Sequence, residues 1–126
     1  MSHVSDGDLE AWDYYEEVYK NRSMGLNEYQ SAAARTAIYK QEHSILYPAL
    51  GLAGEAGEVA NKVKKMLRDG ELDRKALVAE VGDCLWYISS LCRDLNVDMQ
   101  DLAMDNLEKL YGRKARGTIK GNGDKR

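Results

Sequence analysis

Helix breakers and cross-linking residues are scarce in this chain of 126 residues. Proline occurs once, at Pro48, and phenylalanine not at all. With few breakers and an abundance of Ala, Leu, Glu and Lys, helix is favoured over sheet. No apolar run approaches the roughly 20 residues of a membrane span, and no charged-then-apolar leader opens the chain. A cytoplasmic protein with no membrane partner is therefore expected. The only cysteines, Cys84 and Cys92, fall in one expected helix. The helical rise sets them about 12 Å apart, too far for a disulfide, and both are expected in the core. Neither His3 nor His43 has a metal-ligand or catalytic neighbour at useful spacing. The formal net charge is −3, which argues against stable nucleic-acid binding.

What is present fits one folded helical domain. Hydrophobic residues make up 44% and charged residues 31% of the chain, ordinary values for such a protein. An amphipathic helix is expected over Asp8 to Lys20, with Leu9, Trp12, Tyr15 and Tyr19 near one face. Asn27 is positioned to cap a second helix running from Glu28 to about Gln41. Pro48 suits the first turn of a third, ending near Arg68. Asp73 is positioned to cap a fourth, ending near Leu95, and a last helix covers Met99 to about Lys114. The expected fold is all-α: a four-helix-type bundle with an extra N-terminal helix. Residues 1–26 form that helix and a linker, 27–118 the domain, and 119–126 a flexible basic tail.

The stretch "GLAGEAGEVANKVKK" reads as helix yet holds Gly51, Gly54 and Gly57. Each glycine inside a helix costs about 1 kcal/mol relative to alanine. With Glu55 set at zero on a 100° wheel, Glu58 falls at about 300° and Lys62 at about 340°. Leu52, Val59, Val63, Met66 and Leu67 fill an arc from about 20° to 120°. On "LVAEVGDCLWYISSLC", with Glu80 at zero, Asp83 falls at about 300° and Tyr87 at about 340°, beside an apolar arc from Leu77 to Cys92. Each helix thus carries an i, i+3 carboxylate pair on the same edge of its apolar stripe. If the stripes pack together, the four carboxylates converge. Their repulsion raises one another's pKa, and a divalent cation relieves it. Hard oxygen ligands suit Mg²⁺ or Mn²⁺. Di-iron bundles need Glu-x-x-His pairs, and no His stands at either fourth position. The competing reading makes the pairs solvated edges, with Glu58 and Lys62 an ordinary i, i+4 ion pair. Gly57 and Gly82 each sit between paired carboxylates, where a missing side chain lets a backbone or a phosphate come close.

"GEAGEVANKVKK" followed by "EVGDCLWY" resembles the MazG-type, all-α nucleoside triphosphate pyrophosphohydrolases, whose signature is E-x-x-E, a variable spacer and E-x-x-D. The matching positions are Glu55, Glu58, Glu80 and Asp83, and "NLEKLYGRKARG" is similar to the family's K-L-x-x-R stretch. The likeness covers about residues 27 to 118. It implies Mg²⁺ held by the four carboxylates, which are both metal ligands and the catalytic set. It implies hydrolysis of a nucleoside triphosphate to monophosphate and pyrophosphate, for nucleotide-pool control or house-cleaning. It also implies a homodimer or homotetramer with sites near subunit interfaces, and phosphate contacts from Lys109 and Arg113. Asn106, Lys109 and Arg113 lie within about 60° of one another on the last helix, a stripe fit for a phosphate clamp or for a solvated basic edge. Lys62 is a further candidate for substrate contact, and the rings of Trp86 and Tyr87 are placed either to stack on a base or to pack. No Ser, Cys or His is set for covalent attack, so water is the expected nucleophile, oriented by a carboxylate such as Glu55. Two alternatives stay open: a non-catalytic helical dimerisation module, and a phosphoribosyl-ATP pyrophosphohydrolase.

Overall fold

The computed structural model of the chain describes residues 6–126. His3 lies outside the described residues, as does the side chain of Leu9. Five α-helices follow one another: α1 Asp6–Asn21, α2 Leu26–Ala34, α3 Leu46–Asp69, α4 Arg74–Asp94 and α5 Met99–Arg116, with a 3-10 turn at Gln41–His43. No strand occurs among the described residues, so the architecture is all-α. None of these helices is long and apolar enough to cross a membrane.

The centre of the fold is the α3–α4 hairpin, the most extensively packed pair of elements. Its turn is set by Gly70 in the left-handed region, φ 79°, where glycine carries no Cβ penalty. Asp73 then accepts a hydrogen bond from the Ala76 N–H at 3.0 Å, so the expected cap is in place. Helix α2 lies against α4, α5 touches α2 and α4, and α1 leans on α2. Helix α4 ends where Asn96 takes φ 57° and the Val97 N–H reaches back to the Cys92 carbonyl at 2.8 Å, a left-handed closure that asparagine tolerates.

Two expectations about α2 are corrected. It starts after Gly25, and the Asn27 side chain accepts from the Gln100 N–H at 3.0 Å instead of capping its own helix. Gln30 does the same for its neighbour, accepting from the Met99 N–H at 2.9 Å and donating to the Val97 carbonyl at 2.9 Å. Helix α2 thus satisfies donors that the first turn of α5 leaves open. Its own C-terminus comes at Ala34, not near Gln41, because the Thr36 hydroxyl turns back to the Ala33 carbonyl at 2.7 Å. Tyr39 is drawn away to Asp94 at 2.8 Å.

Asp94 also accepts the Ile45 N–H at 2.9 Å and sits beside Arg93 at 3.6 Å. Ile45 has φ 68°, an uncommon conformation for a β-branched residue. Asp94 therefore fixes a strained entry into α3 at Ile45, three residues before the buried Pro48. The tail folds on itself and meets α5: the Arg126 guanidinium donates to the carbonyls of Thr118, Ile119 and Gly123, and Arg116 donates to the Arg126 carbonyl at 2.8 Å.

Few side chains are fully enclosed. Ala33, Pro48, Cys92 and Met99 are buried, with Ser89, Ser90 and Arg113. Cys84 is only half-buried. The expected apolar stripes are likewise incomplete, since Val63, Leu67, Val81 and Leu85 remain exposed.

Candidate active site

Glu55 on α3 meets Glu80 and Asp83 on α4, each offering a carboxylate oxygen within 4.8 Å of the others. Helical spacing puts Glu80 and Asp83 on one edge, and the hairpin lays that edge against Glu55. Glu58, the fourth expected carboxylate, is exposed and outside this trio, although its charge still reaches Glu55. The Glu55 carboxyl titrates above its usual range. A hydrogen bond with Glu80 is the main cause, followed by partial desolvation and the charges of Asp83, Glu80 and Glu58. Three such oxygens form a donor set suited to a hard divalent cation.

Aromatic rings wall this site. Tyr87 stands edge-on to Trp86, ring centres 5.0 Å apart, and leans on Tyr47 at 6.3 Å, which stacks on Tyr39 at 4.8 Å. Burial is the chief reason that the Tyr87 hydroxyl holds its proton more tightly than usual. Its neighbour Tyr47 and the charges of Glu55 and Asp83 add to the effect. Gly51 makes this arrangement possible: a Cβ there would overlap the Tyr87 ring. Gly54, Gly57 and Gly82 differ, because a Cβ at any of them would meet open space. A pocket of about 350 Å³ lies between Glu55, Asp83, Trp86 and Tyr87. Lys62 is half-buried on the same helix as Glu55.

The basic stripe lies elsewhere within one chain. Asn106 and Lys109 line a separate pocket of about 330 Å³ with Val97, Leu102 and Asp105. Arg113 is only 5% exposed, and its Nε is buried without a hydrogen-bond partner. Its Nη2 donates to the Asp124 carbonyl at 2.6 Å and carboxylate at 3.1 Å, and Lys109 donates to the same carboxylate at 2.7 Å. The stripe thus already holds an anionic group, supplied by the tail.

Sequence reasoning did not single out Tyr29 or Thr36, and gave Tyr15 and Tyr19 no role beyond an amphipathic face. The Trp86 indole N–H donates to the Thr36 hydroxyl at 2.7 Å, which locks the ring. The Tyr29 hydroxyl is held protonated by burial first and by the charge of Asp83 second. No local pattern marks these residues, since their partners lie about fifty positions away in the chain.

A family model described as the MazG nucleotide pyrophosphohydrolase domain matches residues 41–117. The chain is also similar to the Gene 37 protein of Mycobacterium phage L5, 44% identical over 114 residues, which cover 82% of this chain and 100% of that protein. No solved structure matches. The family match spans more than half of the chain and contains all of α3, α4 and α5. With its all-helical fold and the carboxylates meeting across α3 and α4, the chain belongs to the MazG nucleotide pyrophosphohydrolase family.

Proposed function

We propose that the protein is a Mg²⁺-dependent nucleoside triphosphate pyrophosphohydrolase that converts a ribo- or deoxyribonucleoside triphosphate and water to the monophosphate and pyrophosphate. The observation that carries this reading is the meeting of Glu55, Glu80 and Asp83. A cation held there would neutralise triphosphate charge and that of the leaving pyrophosphate. Mn²⁺ is a reasonable substitute. The trio holds the metal, and Glu58, left free of it, is the carboxylate available to orient the attacking water. Glu55, which the sequence alone favoured for that role, stands within the trio. Control of the nucleotide pool is the role such chemistry serves.

The same reading includes a homodimer or homotetramer. The chain exposes 9947 Å², against about 6,800 Å² for a compact monomer of this mass. Leu46, Leu50, Val63 and Leu67 on α3 and Val78, Val81 and Leu85 on α4 are exposed together, a face that a second copy of the hairpin would cover. In that assembly the basic stripe of one chain can serve the carboxylates of another.

The test is pyrophosphate release from standard and modified triphosphates, and from phosphoribosyl-ATP, with and without Mg²⁺. Release with Mg²⁺ and loss in Asp83→Asn are expected. Turnover in excess chelator would overturn the metal-dependent reading, and none from any substrate would favour a non-catalytic helical module.

A further inference from the structure

Beside the carboxylate pocket lies a larger cavity of about 590 Å³ between α1 and α2. It falls in the range of small-molecule sites, and its walls have their usual character, rings and methyls with a few polar tips. Trp86 lines both the cavity and the carboxylate pocket. Tyr29, which lines the cavity from α2, lies close enough to Asp83 to respond to its charge. A nucleotide with its phosphates at the trio therefore has one adjoining space for its base.

Helix α1 supplies the outer wall through Tyr15, Tyr19 and Arg22. It precedes the residues matched by the family model, so this wall belongs to the chain's own extension. Arg22 has φ 49°, a strained conformation for a non-glycine residue. It folds its guanidinium back over the Tyr19 ring, 4.8 Å from the centre, and donates to the Tyr19 hydroxyl at 2.9 Å. Thr36, also in the wall, is spent: its hydroxyl accepts from Trp86 and donates to Ala33. The polar groups left to meet a ligand are the remaining guanidinium N–H donors, which can only donate, and phenol hydroxyls.

We infer that this cavity takes the nucleobase and that α1 is the specificity element, selecting bases with a carbonyl oxygen at the pyrimidine 4- or purine 6-position (uracil, thymine, guanine) over those with an amino group there (cytosine, adenine). The ring stacks on Trp86 or on the α1 tyrosines, and Arg22 meets the carbonyls. Facing an amine at that position, the guanidinium sets donor against donor and its own N–H groups lose their partner, which is the strong form of discrimination.

This inference rests on the proposed pyrophosphohydrolase activity, so its test separates the two. In a Trp12→Phe background Trp86 is the sole tryptophan. Its emission should change on adding uridine or guanosine without phosphates or metal, and much less with cytidine or adenosine. Arg22→Ala should lower kcat/KM for carbonyl-bearing triphosphates about tenfold relative to amino-bearing ones, and Tyr15→Ala should compress the ranking among bases. Arg22→Lys, which keeps a donor, should restore part of the preference. If the wild type releases no pyrophosphate yet Trp86 responds to nucleosides, the activity reading fails and the base site stands. If pyrophosphate is released but Arg22→Ala slows all bases equally, the specificity inference is overturned. It is overturned too if Trp86 ignores nucleosides and responds only to protein dilution, which would mean that a second copy fills the cavity.

Discussion

Gly51 is a residue at which one added methyl has a defined victim. Gly51→Ala would drive a Cβ into the Tyr87 ring, at a cost of about 1–3 kcal/mol if the ring cannot move away. Thermal unfolding of Gly51→Ala, Tyr87→Ala and the double variant checks this. The second substitution should remove most of the penalty of the first, as expected for neighbours in contact. At Glu55 the expectation runs the other way. Its raised pKa comes from Glu80 first and from further carboxylates behind it, so ionised Glu55 opposes folding in the metal-free protein. Glu55→Gln should therefore raise the melting temperature in chelator while abolishing both hydrolysis and the stabilisation that Mg²⁺ gives by mass action. A Glu55→Gln variant that melts below the wild type in chelator would contradict this picture of the cluster.

At the scale of the element, the start of α3 is held from the end of α4. Burial alone would push the Asp94 carboxyl up. The Ile45 N–H, the Tyr39 hydroxyl and Arg93 outweigh it and hold the group below its ordinary range. A carboxylate with a depressed folded pKa contributes stability above its unfolded value of about 3.9, and that contribution is lost as pH falls through the lower folded value. Wild-type melting temperature should thus drop on the acid side of about pH 4 more steeply than that of Asp94→Asn. The variant should be less stable at neutral pH by about 1–3 kcal/mol, as expected for a lost charged hydrogen-bond hub. Parallel melts across pH provide the check. Because Tyr39 stacks on Tyr47 and Tyr47 leans on Tyr87, the same substitution should also loosen the wall of the active site.

Asp94 also shows which parts of the structure were legible in the sequence. The ends of α3, α4 and α5 follow from local chemistry, through the cap at Asp73, the left-handed Gly70 and the break at Asn96, and these could be read directly. The edge placement of Glu55, Glu80 and Asp83 needed only the helical period. The stop of α2 could not be read, because Thr36 and Tyr39 answer to Trp86 and Asp94 far along the chain. Asn27 has the chemistry of a cap, but whose helix it caps is decided by packing. The cavity under α1 likewise depends on how α1 leans on α2, and no sequence period encodes that angle.

For the whole molecule the decisive quantity is the uncovered α3–α4 face. Leu67 and Leu50 are 78% and 74% exposed, and the proposed assembly would cover them. Light scattering should give a dimer or tetramer. Leu67→Glu paired with Val81→Glu should shift the protein toward monomer, lower its melting temperature and reduce turnover, since like charges and lost apolar contact both act at the seam. A wild-type monomer at working concentration would count against shared sites.

The grip of Lys109 and Arg113 on Asp124 makes the tail a reporter of anion arrival. Pyrophosphate that reaches this pair must first evict a carboxylate, and the freed segment, with Lys120 and Lys125 in it, becomes a better trypsin substrate. Cleavage there should accelerate with added pyrophosphate at constant ionic strength. In Asp124→Ala it should be fast from the outset and indifferent to the anion.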